Sequence, residues 1–317
     1  KSFHRAACGK VEELAPSLVQ SHERIPCCDI YRAGDGLHGQ WLHHKKRASG
    51  PLTRLALDWS PYHRYVLQAE ERLFTSPRLK AVICNSYMVQ KEIRQRFKLP
   101  DAMLPVIYSG VDSERFHPRL REARQRMREA WGIPQQAVVF LFVGSGFKRK
   151  GMDILLKTFA TLPDNAWLWV VGKDRQQWYY QWMARRLGIG ARVCFTGGQQ
   201  KVDEFYGAAD AAVLPTLYDP FPNVAMEAMA SGLPMATTLS CGAKDLIQHG
   251  ANGLLADALD QEKWQQNLHT LMDEQKRQTM GQLARQSAEP LTMEVMGLRL
   301  LSLYQALYAG GLRDGRL

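Results

Sequence analysis

Between residues 137 and 255 short apolar runs alternate with stretches of helical periodicity, and this alternation restricts the fold more than any other feature of the chain. Ala137-Val138-Val139-Phe140-Leu141-Phe142-Val143 is a continuous apolar run that stops at Gly144. The pattern then predicts a helix over Met152 to Ala160, a strand over Trp167 to Val171 ending at Gly172, and a helix over Trp178 to Leu187. A strand over Arg192 to Phe195, a helix over Val202 to Ala208 and a strand over Ala211 to Leu214 follow. After a further helix come a strand over Met235 to Thr237, a helix over Lys244 to Gln248 and a strand over Gly253 to Leu255. Strands that are apolar on both faces and separated by helices belong in a doubly wound parallel sheet, an α/β architecture.

Residues 1–112 follow the same logic with fewer elements. Strands are expected at Ser17 to Ser21, Asp29 to Ala33, Ala81 to Cys84 and Pro105 to Ile107, and helices at Pro61 to Phe74 and Met88 to Phe97. A Rossmann-like half has five to seven strands, so this domain reads as incomplete, lacking its first two or three; the chain also begins at Lys1 rather than Met. The expected domains are 1–112, 113–288 and a C-terminal segment 289–317. The last holds an amphipathic helix over Leu291 to Leu307 that returns to the first domain.

The chemistry concentrates in two segments of the second domain. The first is Tyr218-Asp219-Pro220-Phe221-Pro222-Asn223-Val224-Ala225-Met226-Glu227, followed by Ala228 to Ala230 and the helix stop Gly232-Leu233-Pro234. Pro220 and Pro222 stiffen a turn, Asn223 reads as the N-cap, and Glu227 is expected in the first helical turn. A helix start presents free N–H groups to an anion, and flanking carboxylates can hold hydroxyls on either side of it. Taken alone, Asp219 is equally a capping acid and Glu227 a surface acid. The second segment is Gly144-Ser145-Gly146-Phe147-Lys148-Arg149-Lys150-Gly151, between a strand and a helix. Its glycines admit a ligand close to the backbone, and Arg149 and Lys150 carry positive charge at the carboxyl edge of the sheet. Neither the phosphate-loop pattern nor G-x-G-x-x-G is satisfied.

Together these segments resemble the retaining glycosyltransferases of the GT-B fold, family 4 (group 1). There an acidic pair written E-x7-E binds the donor, and Asp219 stands here in the first position. Ile107-Tyr108-Ser109-Gly110-Val111-Asp112 with Phe116 resembles the family's interdomain I-x-N-G-V-D-x-x-x-F, with Ser109 replacing Asn. Within the family the chain looks most like the lipopolysaccharide-core glucosyltransferases, on Val143-Gly144-Ser145, Arg149-Lys150-Gly151, Asp153 and Asp29-Ile30-Tyr31. The resemblance implies two Rossmann-like domains facing a cleft, a UDP-hexose donor, UDP-glucose first, and a glycan or lipid-linked acceptor. It also implies transfer with retention and no metal or other cofactor. Arg149, Lys150 and the helix start would then stabilise the leaving diphosphate. Asp219 would hold the donor sugar, Glu227 the ribose, and Phe221, Pro222, Asn223 and Val224 would surround the sugar and phosphates. Gly172 with Lys173, and Gly197-Gly198-Gln199, either line the nucleotide pocket or simply turn the chain. Asp35 and His38, in the Gly-rich turn after Asp29 to Ala33, are the candidates for positioning or polarising the acceptor hydroxyl. Two rival readings are a nucleotide-sugar epimerase on the same fold, and a truncated remnant that binds nucleotide or membrane without catalysis.

Composition bounds the partners. The net charge is +10, with basic clusters at His43-His44-Lys45-Lys46-Arg47 and along Arg115 to Arg128, suiting an anionic membrane face or a phosphorylated substrate. For Arg119 to Arg124 a solvated helix face is the better reading. Basic and aromatic residues do not interleave, which argues against nucleic acid. The six cysteines are scattered without a C-x-x-C pair, so all are expected as reduced thiols of a cytoplasmic protein, peripheral on the inner membrane face. Zinc held by Cys27, Cys28, His22 and His38 is disfavoured by their spacing.

Overall fold

The computed structural model describes residues 2–309. The described residues divide into two compact units: residues 2–109, 219–221 and 294–309 form one, residues 110–218 and 222–293 the other. Residues 310–317 of the expected C-terminal segment lie outside the described residues.

The first unit is built on a three-stranded parallel sheet, β1 (Gln20–Ser21), β2 (Ile30–Arg32) and β3 (Ala81–Ile83), in that spatial order. Ile30, Ala81 and Ile83 pack with Ile107 against Leu303 and Leu307 of the helix Met293–Tyr308. Each such leucine contributes about 1.5–3 kcal/mol of burial, which fixes that helix to the sheet. Pro105 to Ile107 forms no strand. Only an isolated bridge joins Cys84 to Val106, because Pro105 has no N–H to extend the ladder. Pro61 opens the helix Pro61–Phe74, with the Ser60 hydroxyl accepting from His63 N–H. Ser86 likewise caps Tyr87–Phe97 through Val89 N–H.

The second unit carries a six-stranded, all-parallel sheet. Its strands are β4 (Val138–Val143), β5 (Ala166–Val171), β6 (Val193–Gly197), β7 (Ala211–Leu214), β8 (Met235–Thr238) and β9 (Gly253–Ala256), in the order β6-β5-β4-β7-β8-β9. The order reverses direction beside β4, which makes its carboxyl end a topological switch point, where such sheets bind ligands. Two parallel α/β sheets, one in each unit, agree with the architecture anticipated from the sequence. One expected helix is tighter and lies two residues earlier: Gly242–Leu246 is a 3-10 turn in place of a helix over Lys244 to Gln248.

Two readings of side chains are corrected. Cys8, on the helix Ser2–Leu14, forms a disulfide with Cys27, their Cα atoms 5.6 Å apart. Sequence spacing hides such a pair, because bridging depends on proximity in space. The argument from cysteine usage for a reducing compartment therefore lapses, and Cys27 leaves the disfavoured zinc set; Cys28, Cys84, Cys194 and Cys241 are not disulfide-bonded. The basic run from Arg115 is also not simply solvated. Arg115 pairs with Asp203 at 3.2 Å, Arg126 with Glu204 at 3.0 Å, and Arg124 and wholly buried Arg128 with Asp210, each at 2.7 Å.

Candidate active site

The basic loop leaves β4 along a backbone that glycine alone tolerates. Gly144, Gly146 and Gly151 all have φ in the left-handed half of the map, at 146°, 70° and 76°. A β-carbon at Gly151 would lie 1.9 Å from the Pro215 carbonyl oxygen, so the loop sits directly on the segment after β7. Hydrogen bonds complete the brace. The Arg149 carbonyl accepts from Leu217 N–H at 2.9 Å and from the Thr216 hydroxyl at 3.4 Å, and Arg149 Nη1 donates to the Tyr218 carbonyl at 3.4 Å. The structure thus joins the basic loop to the segment that leads into the helix Asn223–Ala230. Phe147, wholly buried, anchors the loop from below, and its N–H donates to the Asp174 carboxylate at 2.8 Å. Asp174 escaped the sequence reading. Its only signal was a carboxylate two residues beyond a strand-ending glycine.

The remaining glycines cluster at the same sheet edge. A β-carbon at Gly172 would lie 2.1 Å from the Gly144 carbonyl oxygen, and Gly172 N–H donates to the Gly197 carbonyl at 2.9 Å. Lys173 lies over Gly198, its Cε 3.1 Å from where a β-carbon would be. The aliphatic stem of Lys150 covers Gly144 in the same way, and Lys150 is 8% exposed whereas Ser145, Gly146, Lys148 and Arg149 face solvent. Gly144, Gly172 and Gly198 therefore follow one another along the carboxyl ends of β4, β5 and β6. Small residues here let neighbouring backbone and lysine stems pack closely along that rim.

The helix Asn223–Ala230 starts one residue earlier than expected. Pro222 is its N-cap, extended at φ −73° and ψ 128°, and exposed Asn223 is the first helical residue. The ring of Pro222 fixes φ near the helical value while its ψ remains extended, which is the geometry of an N-cap. Pro222 offers no capping side chain, and the first turn closes tightly, with Ala225 N–H donating to the Pro222 carbonyl at 3.1 Å. Glu227 consequently falls in the second turn rather than the first. It is half-buried and accepts from the Tyr206 hydroxyl at 2.7 Å. Burial raises its pKa above the usual carboxylate range, against the pull of the Tyr206 hydrogen bond and the Arg115 charge. Tyr206 was not legible as a partner, because it sits in what reads as an ordinary buried helix face.

Asp219, Pro220 and Phe221 group with the first unit. The Pro220 carbonyl accepts from the Ser86 hydroxyl at 2.8 Å, and the Phe221 ring meets Tyr108 with centroids 5.0 Å apart. Asp219 is 7% exposed, unlike the surface carboxylate that simple capping would leave.

Also in the first unit, Asp35 is exposed on the turn after β2, and His38 opens the helix His38–Arg47. Around His38 the structure assembles groups that the sequence did not bring together. His38 Nε2 faces His63 Nδ1 at 3.1 Å, and His38 N–H donates to Glu70 Oε1. Glu70 is wholly buried and also takes Arg24 Nε at 3.2 Å, while Arg24 Nη2 donates to the Gly36 carbonyl at 3.0 Å. Burial, then the charges of His63, Arg24 and Lys45, push the His38 pKa down to about 4. His38 is therefore neutral at pH 7, which suits holding a hydroxyl more than removing its proton. Glu70, His63 and Arg24 lie far from His38 in sequence and carry no motif.

The family model of glycosyl transferases group 1 matches residues 123–287, and that of glycosyltransferase family 4 matches residues 2–115. The D-inositol 3-phosphate glycosyltransferase of Corynebacterium urealyticum is 30% identical, over 93% of this chain and 72% of the relative. The lipopolysaccharide glucosyltransferase WaaG of Escherichia coli is 26% identical, over 80% of this chain and 67% of its own. Among solved structures, WaaG superposes with a TM-score of 0.79 at 24% identity, covering 93% of this chain and 80% of that one. Anabaena HepE, in complex with UDP and glucose, has a TM-score of 0.74 at 21% identity, covering 94% and 81%. With a switch-point loop of the right chemistry, a matching family model over half its length and a relative matched along nearly all of it, the chain belongs to the group 1 glycosyl transferases, enzymes that take a sugar from a nucleotide-sugar donor.

Proposed function

We propose that this chain transfers a hexose, glucose first, from a UDP-sugar to a glycan or lipid-linked acceptor with retention of configuration and without a metal ion. The observation that carries the reading is the hydrogen-bonded brace between Arg149 and the segment Thr216–Tyr218, which ties positive charge to the approach of a helix start. As the bond between the anomeric carbon and the phosphate oxygen breaks, its electron pair moves onto the diphosphate. Arg149, Lys150 and the N–H groups of Asn223 and Val224 are fixed dipoles and charges for that developing anion, and they need no reorganisation at the moment of reaction. Asp219 holds the donor sugar and Glu227 the ribose. The acceptor oxygen bonds to the anomeric carbon on the face the diphosphate leaves, and its proton passes to a phosphate oxygen. Asp35 and His38 position the acceptor. Support for a UDP-glucose donor comes from Anabaena HepE and from the lipopolysaccharide glucosyltransferase WaaG. The test is proton NMR of the product from UDP-α-glucose, with lipopolysaccharide-core and inositol 3-phosphate acceptors and EDTA present. An α-linked product is expected. A β-linked product overturns retention, a requirement for added metal overturns metal independence, and conversion of the donor to another UDP-sugar without acceptor favours an epimerase.

The role given to Glu227 makes its own prediction. Tyr206 orients the carboxylate, and a hydrogen bond to a charged group is worth about 1.5–3 kcal/mol. Tyr206→Phe should raise KM for the nucleotide sugar about tenfold and leave kcat within about a factor of three. A fall confined to kcat would assign Glu227 to the reacting centre instead.

The membrane reading rests on the helix Pro51–Trp59. It exposes Leu52, Leu55 and Trp59, the last 71% exposed, and the basic helix His38–Arg47 precedes it in the chain. Apolar side chains that insert among headgroups, backed by lysine and arginine, fit an anionic leaflet at the inner face of the cytoplasmic membrane. No helix among the described residues is long and apolar enough to cross a membrane. Leu55→Ala with Trp59→Ala should weaken binding to phosphatidylglycerol vesicles about tenfold in a flotation assay. Unchanged flotation would remove this surface from the account.

A further inference from the structure

We propose that the second unit has a second anion site, for a phosphate or diphosphate group, at the amino edge of its sheet, the edge opposite the basic loop. A cavity of about 290 Å³ opens there beside Ala137 and Val138 at the start of β4, Asp210 before β7 and Pro234 before β8. Arg121, Arg124 and Arg277 converge on it from three different segments, with Gln278 at the rim.

The arginines exceed what the protein offers them. Asp210 is the shared partner, and its two oxygens are already taken. Oδ1 receives Arg124 Nη1 at 2.7 Å with Arg121 Nη2 at 3.6 Å, while Oδ2 receives Arg128 Nη2 at 2.7 Å and Val139 N–H at 2.8 Å. Wholly buried Arg128 spends its other donors on the carbonyls of Ala208, Gln135 and Ala137 and is a structural group. The three arginines that line the cavity are different. Arg277 donates to the Leu271 carbonyl at 2.7 Å, Arg124 has the one carboxylate, and Arg121 reaches that carboxylate only at a distance too long for a hydrogen bond. A guanidinium has five N–H donors in a rigid fork, and the contacts just described use only a minority of those that the three arginines carry. Glu274 also lines it but is exposed, and it accepts from Gln278 one turn on. Burial and the neighbouring charges of Arg124 and Arg121 work against the protonated form of Arg277, while Asp210 and Glu274 favour it. An incoming anion relieves that repulsion. Arginine forks match phosphate oxygens in pairs, and the volume exceeds that of a single phosphate, so a diphosphate or a phosphate on a small organic group fits the chemistry.

The site is tested by calorimetric titration of inorganic phosphate and inorganic pyrophosphate into the full chain carrying Arg149→Ala, so that the carboxyl-edge loop has lost a main anion-binding charge. Binding is expected to persist in that background, tighter for pyrophosphate, and to weaken at least tenfold when Arg277→Gln is added. Because Arg277 also supports the Leu271 carbonyl, Gln278→Glu serves as a second variant. It adds a negative charge at the exposed rim, removes no main-chain contact, and should weaken binding comparably at an unchanged melting temperature. Absence of binding in the Arg149→Ala chain, or a Gln278→Glu chain that binds as tightly as its parent, overturns the proposal.

Discussion

Arg149→Ala should lower kcat for sugar transfer by about 10²–10³-fold while leaving the fold intact, within about 0.5 kcal/mol of the parent stability. The two halves of this expectation have separate physical origins. Structurally, the loop is held by the backbone carbonyl of Arg149, by the glycines that allow the close approach to Pro215, and by Phe147 below. None of these contacts uses the guanidinium. On the proposed mechanism the guanidinium is a charge placed where the leaving diphosphate accumulates its own, and charge stabilisation realised in the transition state appears in kcat. Arg149→Lys should recover only part of the rate, since an ammonium cannot engage two phosphate oxygens with one planar fork. Steady-state kinetics beside a urea melt separates the two effects. A transfer rate within threefold of the parent would remove Arg149 from the transition state. A large loss of stability would make it a structural group.

Lys150 is the instructive contrast. Sequence places it beside Arg149 as an equal, but the structure buries it with its methylenes over Gly144. Its removal exposes the loop glycine as well as deleting a charge, so activity alone would overstate its electrostatic part. This difference marks where sequence stops being legible. The six strands of the second sheet could be read because each is apolar on both faces and ends at a glycine or small polar turn. That pattern is local, and β7 emerges at the expected Ala211–Leu214. The basic loop and the acidic segment were legible for the same reason, as compact runs of unusual composition. What was hidden depends on residues remote in the chain. Glu70 meets Arg24 and His38, Tyr206 meets Glu227, Cys8 meets Cys27, and the arginines beyond Arg115 meet Asp203, Glu204 and Asp210. Each partner, taken singly, looks like a surface acid, a core tyrosine or an unremarkable cysteine. The helix start moved from Asn223 to Pro222 because residue type favours Asn at a cap, while the fixed φ of proline decided the backbone.

Asp210→Asn should destabilise the second unit by about 3–5 kcal/mol at pH 7, the usual cost of removing one member of a buried charge cluster. Asp210 is 5% exposed and ties the polypeptide before β7 to Arg124 and Arg128 as well as to Val139 N–H of β4. An asparagine keeps the shape and one carbonyl oxygen, but it cannot neutralise the guanidiniums. Arg128 is then left as a wholly buried cation among carbonyl oxygens. Proton linkage supplies a second signature. Burial alone would raise the Asp210 pKa, but the hydrogen bond from Arg124 and the charges of Arg128 and Arg124 outweigh it, so the folded-state value lies below the ordinary one of 3.8. A depressed carboxylate contributes stability that is fully present above the unfolded value and is lost as pH falls through the folded one. The gap between parent and variant should therefore be constant from pH 5 to pH 8 and should close below about pH 4. Urea midpoints across that range measure it. A gap under about 1 kcal/mol at pH 7 would mean that the arginines are solvated rather than clamped, and a gap that persisted unchanged into acid would mean that Asp210 acts through its shape and not its charge.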